Sequence, residues 1–259
     1  MEGWQHFVPT LALAMIRPLG MLVFLPMFSA RALGGGLIRN ALVLVIALPA
    51  VPMHLSTASG FAGMPVSTVA LLVCQEVVVG ALLGFCATVP FWAIDMAGTI
   101  IDTVRGTSMA SVLNPMLEEQ SSVFGVLFSQ VLAVLFLVSG GFNTLLTALY
   151  GSYQAVPPLT GLHFSSAFPA LIENQWRLML DLCVGFALPA IVVMVLVDVA
   201  LGLVNRSAQQ LNVFFVAMPI KSALALFVLA VGMSFAMTDY LAHFNAFGAV
   251  ASALLGSLR

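Results

Sequence analysis

Ionisable side chains are scarce in this chain, and those that interrupt its apolar stretches set the chemical question. Glu76 stands in the apolar run 74–85, with Gly80 and Gly84 following at intervals of four. A carboxylate inside a membrane segment costs about 2.5–3.5 kcal/mol or more, so it needs a partner or a role. Two roles are open: a proton or ion site, or a charge satisfied where helices pack. The glycine pair weighs toward packing, since small residues four apart let a second helix approach closely. Asp95, Gly98, Asp102 and Arg105 recur at spacings of three, four and three, which lays them on one helical stripe. Asp102 and Arg105 are placed to pair within one turn. Asp198 and Lys221 lie eleven residues before and twelve after Gln209, the centre of a short polar break. Two antiparallel helices would bring them to one depth, as a buried ion pair clamping a hairpin. Glu76, Asp198 and Lys221 are therefore read as packing charges.

No catalytic arrangement emerges from the rest. His6, His54, His163 and His243 fall in termini or breaks far apart in the sequence. Gly34, Gly35 and Gly36 are not followed by the Lys and Ser or Thr of a phosphate-binding loop, and no zinc-protease or serine-hydrolase motif occurs. Asp95 and Asp102 share one helix, whereas an intramembrane aspartyl protease sets its carboxylates on facing helices. Cys74, Cys86 and Cys183 sit in apolar runs without CxxC spacing, as small hydrophobes do. The reading is of a protein that is not an enzyme and carries neither cofactor nor metal.

The elements that hold these charges are apolar helices. Hydrophobic residues make up 61% of the 259 and charged ones 7%, and mean hydropathy is +1.12. A soluble surface needs about 25% charged residues; lipid or other apolar helices must therefore cover this one. A net charge of −2 gives no footprint for nucleic acid. Runs that approach or exceed the length needed to span about 30 Å of hydrocarbon are Val8–Phe28, Leu37–Met53, Val66–Ile94, Val123–Leu149, Leu178–Val204 and Leu211–Met237, with a weaker Tyr240–Leu255. Pro90 is expected to kink or divide the third run, because it lacks the amide hydrogen its turn requires. The second run is short and ends in Pro49 and Pro52. Such irregularity suggests broken or hairpin helices packed on other protein.

After Arg105 the character changes. Gly106, Thr107, Ser108, Met109, Ala110, Ser111, Val112, Leu113, Asn114 and Pro115 form a small, polar stretch that Pro115 stops from becoming helix. On residue types alone it is an ordered loop, and a plain surface loop accounts for it equally well.

Three segments in order resemble one known family. They are Arg17–Phe28, then Gln75–Phe85 running on through Pro90 to Ile101–Gly106, then Gln210–Phe214 with Met218–Ser222. They are similar to SctT (also SpaR, YscT or HrcT), a subunit of the export apparatus of bacterial type III secretion, with FliR as its flagellar relative. The resemblance spans essentially the whole chain; its last segment is the most specific, and Met218-Pro-Ile-Lys221 resembles the injectisome branch more than FliR. Gln209 stands where the family usually has Pro.

The resemblance implies an all-α fold of polytopic apolar helices arranged as broken helical hairpins. An SctR-like part, residues 1–177, would be followed by an SctS-like hairpin and C-terminal helix, residues 178–259. It implies a structural subunit that forms the gated entrance of the secretion channel with several copies of SctR and SctS. An SctU-like subunit would wrap this assembly, inner rod and needle components would build on it, and unfolded secreted proteins would pass through. The place implied is the bacterial inner membrane, inside the secretion system base. The loop near 106–122 would be the family's plug, and small residues suit a segment that fills a narrow lumen and yields to a passing chain. Asp102 and Arg105 would anchor its root. The competing reading is a secondary transporter or ion channel using Glu76, Asp198 and Lys221 as coupling charges, although the two halves show no clear repeat.

Overall fold

A computed structural model describes residues 2–53, 65–106, 122–158, 160–207 and 213–258. Among them no strand occurs, so the chain is all-α. The helices are α1 (Glu2–Phe24), α2 (Gly36–Ala47), α3 (Val66–Arg105), α4 (Val123–Val138), α5 (Gly141–Ala155), α6 (Phe168–Ser207) and α7 (Val213–Ser257). Short 3-10 turns follow α1 at Pro26–Phe28 and α2 at Leu48–Ala50. Among the described residues, five helical stretches are long and apolar enough to cross a membrane, or up to six if the bent pair α4 and α5 counts as one span.

Three sequence expectations change. Pro90 does not divide α3, which runs unbroken for 40 residues with that proline inside it. Pro9, Pro18, Pro189 and Pro219 likewise lie within helices. In apolar surroundings neighbouring side chains and local adjustment can satisfy the carbonyl a proline frees. The break falls instead inside the run Val123–Leu149, where α4 and α5 meet at 68°. Gly140, with φ +84, supplies a left-handed turn that a side chain would oppose. Finally, Tyr240–Leu255 is no separate segment, because α7 continues through it to Ser257.

The chain divides into two compact units, each built from separate stretches: Met1–Val89, Phe136–Trp176 and His243–Arg259 in one, Pro90–Leu135 and Arg177–Ala242 in the other. In the first unit, Leu13, Met21 and Leu22 of α1, Val79 and Leu83 of α3, and Leu145 and Leu149 of α5 are buried. A Cβ on Gly80 would overlap the Arg17 carbonyl, and one on Gly84 would overlap that of Met21. Both partners advance by four, so α1 and this part of α3 run in the same direction with backbones in contact. In the second unit an aromatic chain joins helices: the Phe128 and Phe186 rings meet edge to face at 4.9 Å, and Phe186 lies 6.2 Å from Tyr240. The Tyr240 hydroxyl donates to the Leu182 carbonyl at 3.3 Å.

Burial is uneven. In the most apolar windows of α1 and α3, 44% of residues are buried, against 17% in α6 and in α7. Leu196 and Leu203 on α6 are 62% and 63% exposed, and Phe235 on α7 is 85% exposed. Both helices present long apolar faces that something else must cover.

Candidate functional site

The stripe on α3 meets the first turn of α4. A Cβ on Gly98 would overlap the Gly125 backbone, so the two helices touch without side chains between them. That contact carries Asp102, nearly fully buried, to the amino end of α4. Its Oδ2 accepts hydrogen bonds from Ser122 Oγ at 2.7 Å and from the Phe124 amide at 3.1 Å. Ser122 Oγ accepts from the Gly125 amide at 2.8 Å, as a helix-capping serine does. Two of the unpaired donors of α4 are thereby satisfied, with a negative charge at the positive end of the helix.

The same carboxylate holds the end of α3. Arg105 Nη2 lies 2.7 Å from Asp102 Oδ1, and the Arg105 guanidinium carbon lies 4.5 Å from the centre of the Phe124 ring. Gly106, with φ +99, closes α3, and its amide donates to the Asp102 and Thr103 carbonyls at 3.2 and 3.1 Å. Asp102 thus ties together the residues that precede and follow segment 107–121. Thr107, Ser108, Met109, Ala110, Ser111, Val112, Leu113, Asn114 and Pro115 lie outside the described residues.

Asp198 and Lys221 do meet, with Lys221 Nζ 2.6 Å from Asp198 Oδ1. The expectation of a buried pair needs correction on one side: the Lys221 side chain is 13% exposed but that of Asp198 is 48% exposed. Asp198 points out from α6, one of the two helices with the lowest buried share.

Glu76 has a partner that sequence reasoning did not assign. Arg17 Nε and Nη2 donate to its two carboxylate oxygens, each at 2.8 Å, and both side chains are fully buried. Arg17 Nη1 donates to Ser152 Oγ and Nη2 to the Val156 carbonyl, both at 2.9 Å. The Tyr153 ring covers the guanidinium at 4.2 Å. This forked, planar pairing is what Arg offers and Lys does not. The available signal was one basic residue inside the first apolar run and one acidic residue inside the third.

Comparison with known proteins decides what kind of chain this is. Residues 8–247 match the family described as bacterial export proteins, family 1. The chain belongs to that family. It is 44% identical over 251 residues, 94% of each chain, to the secretion system apparatus protein SsaT of Salmonella typhimurium. It is 39% identical over 234 residues to the Yop proteins translocation protein T of Yersinia pestis, covering 88% of this chain and 87% of that one. It is also 34% identical over 170 residues, 63% of this chain and 64% of the other, to the flagellar biosynthetic protein FliR of Bacillus subtilis. Both the injectisome and the flagellar branch of this export family therefore appear among its relatives, in keeping with the SctT/FliR resemblance. The match contains Arg17, Glu76, Asp102, Arg105, Asp198 and Lys221 alike. Among the described residues no group of three or more His, Cys, Asp or Glu could hold a metal ion.

Proposed function

We propose that this export-family protein is a structural subunit of a type III secretion export apparatus, assembling with SctR- and SctS-like subunits into the gated entrance of the secretion channel. The single observation that carries the reading is the surface of α6 and α7. Helices with only 17% of their most apolar windows buried require a cover, and the half-exposed Asp198 carboxylate on α6 is poorly suited to hydrocarbon. Neighbouring subunits supply apolar area and polar partners together. On this reading residues 1–177 form the SctR-like part and residues 178–259 the SctS-like hairpin with its C-terminal helix. An SctU-like subunit, inner rod or needle components and unfolded secreted proteins complete the set of partners, and the assembly lies in the bacterial inner membrane within the secretion system base. The loop near 106–122 is the plug, and Asp102 and Arg105 anchor its root.

A transporter reading is less well supported, because Glu76, the first charge it would use, is already neutralised and fully hydrogen-bonded by Arg17. The test is co-expression with SctR- and SctS-like partners, extraction in mild detergent and native mass measurement. A hetero-oligomer containing this chain, together with degradation or aggregation when it is made alone, is the expected result. Recovery of a stable, functional monomer would count against the assignment.

A further inference from the structure

Lys221 does more than close a hairpin. Its ammonium group, 2.6 Å from Asp198 Oδ1, also donates to the Val104 carbonyl at 3.4 Å. One side chain therefore joins α7, α6 and the last turn of α3. The final carbonyls of a helix have no donor within it and carry the negative end of its dipole, so a Lys ammonium is a fitting partner there. One turn before Lys221, Met218 reaches the end of the same helix: a Cβ on Gly106 would sit 3.3 Å from the Met218 methyl. Gly106, Asp198, Met218 and Lys221 line a cavity of about 270 Å³ together with Asn205 and Ala217. The exposure of the pair is lopsided in the same sense. Asp198 is the outer member and Lys221 the inner one, so the buried end of the ion pair faces α3.

We infer that Lys221 is a positioning residue that ties the carboxyl end of α3 to the α6–α7 hairpin, so that displacement of the hairpin is transmitted to Gly106. The mechanical tie depends only on contacts among described residues. Its consequence for secretion rests on the proposed reading of the segment after Gly106 as the plug, and the two claims are separable by experiment.

The experiment uses the assembled complex in detergent and reads amide hydrogen exchange by mass spectrometry. Lys221→Met should speed exchange in the last turn of α3, Ile101–Arg105, by about tenfold, as expected for loss of one charge-assisted hydrogen bond. Exchange in α5, which belongs to the other compact unit, should be unchanged. If the methionine variant assembles poorly, Lys221→Gln, which keeps a neutral donor, should show a smaller rise in the same peptide. Unchanged exchange at the end of α3, with effects confined to α6 and α7, would overturn the inference and leave Lys221 as a hairpin pair only. Ion leakage through membranes carrying the same variant then addresses the second claim. Faster exchange with leakage supports both; faster exchange in a membrane that stays tight keeps the tie and counts against the plug.

Discussion

Arg17 and Glu76 are 59 positions apart and meet as a bidentate pair with neither side chain exposed. Removing one partner of such a pair leaves an uncompensated buried charge, at a cost of about 3–5 kcal/mol, whereas replacing both with apolar residues of similar size is often nearly neutral. Arg17→Met and Glu76→Leu should each sharply reduce the yield of assembled complex. The double variant should recover much of the loss, short of the part owed to Ser152 and Val156, which also accept from Arg17. Yield and thermal midpoint in detergent measure it. A double variant as damaged as the two single losses combined would show that the residues act independently.

The contact between α1 and α3 depends on the absence of side chains. Gly84→Leu would drive carbon into the Met21 carbonyl, and Gly80→Ala into that of Arg17. Both should lower the thermal midpoint, the leucine more, since overpacking typically costs about 1–3 kcal/mol. Gly80→Ala should also loosen the Arg17–Glu76 pair, because the clash falls on the backbone of Arg17 itself. A Gly80→Ala complex as stable as the parent would show that the helices separate without penalty.

How much of this was legible depended on sequence distance. The stripe Asp95, Gly98, Asp102 and Arg105 could be read from helical period alone, because its members lie on one element. Asp198 and Lys221 could be read from symmetry about a short turn. Arg17 and Glu76 could not, because nothing in a single sequence says which of several apolar helices abut. Ser122 was missed although its place directly before the apolar run at Val123 is a helix-capping signal. Gly140 and Gly141 were missed in the same way: a glycine pair within an apolar run marked the bend, but hydropathy averages across it. At Pro90, of the two expected outcomes, division does not occur, because α3 continues through it and neighbours in apolar surroundings can satisfy the carbonyl that the proline frees.

The charges at the hairpin should respond unequally. Asp198→Ala leaves a mostly buried ammonium with, among the described residues, the Val104 carbonyl, whereas Lys221→Ala leaves a half-exposed carboxylate. Stability should therefore fall more for Asp198→Ala, by about 1–3 kcal/mol, between the values for exposed and buried pairs. The exchange of Asp198→Lys with Lys221→Asp should restore only part of the loss. It rebuilds the ion pair but sets a carboxylate against the carbonyl end of α3, where the helix dipole disfavours it. Assembly yields of the two single variants and the exchange provide the comparison, and losses that simply add would reject the pairing.

The plug reading makes the most exposed prediction, since it separates a gated conduit from a scaffold. Asp102 accepts from Ser122 and Phe124 on one side and pairs with Arg105 on the other, so the residues that flank segment 107–121 are held together. Shortening Thr107–Asn114 should leave the complex assembled, because the buried helical contacts lie elsewhere. It should also let small ions pass through the bacterial inner membrane, because a lumen sealed by that stretch would lose its filling. Arg105→Met keeps the segment and weakens its root, so a smaller leak is expected. Asp102→Ala removes a helix cap and the partner of Arg105 together; it should cost about 1–2 kcal/mol and leak more than Arg105→Met. Conductance or small-solute influx in cells carrying the assembled apparatus ranks the three variants. If the shortened protein assembles and the membrane stays as tight as the parent's, the segment is not what closes the channel.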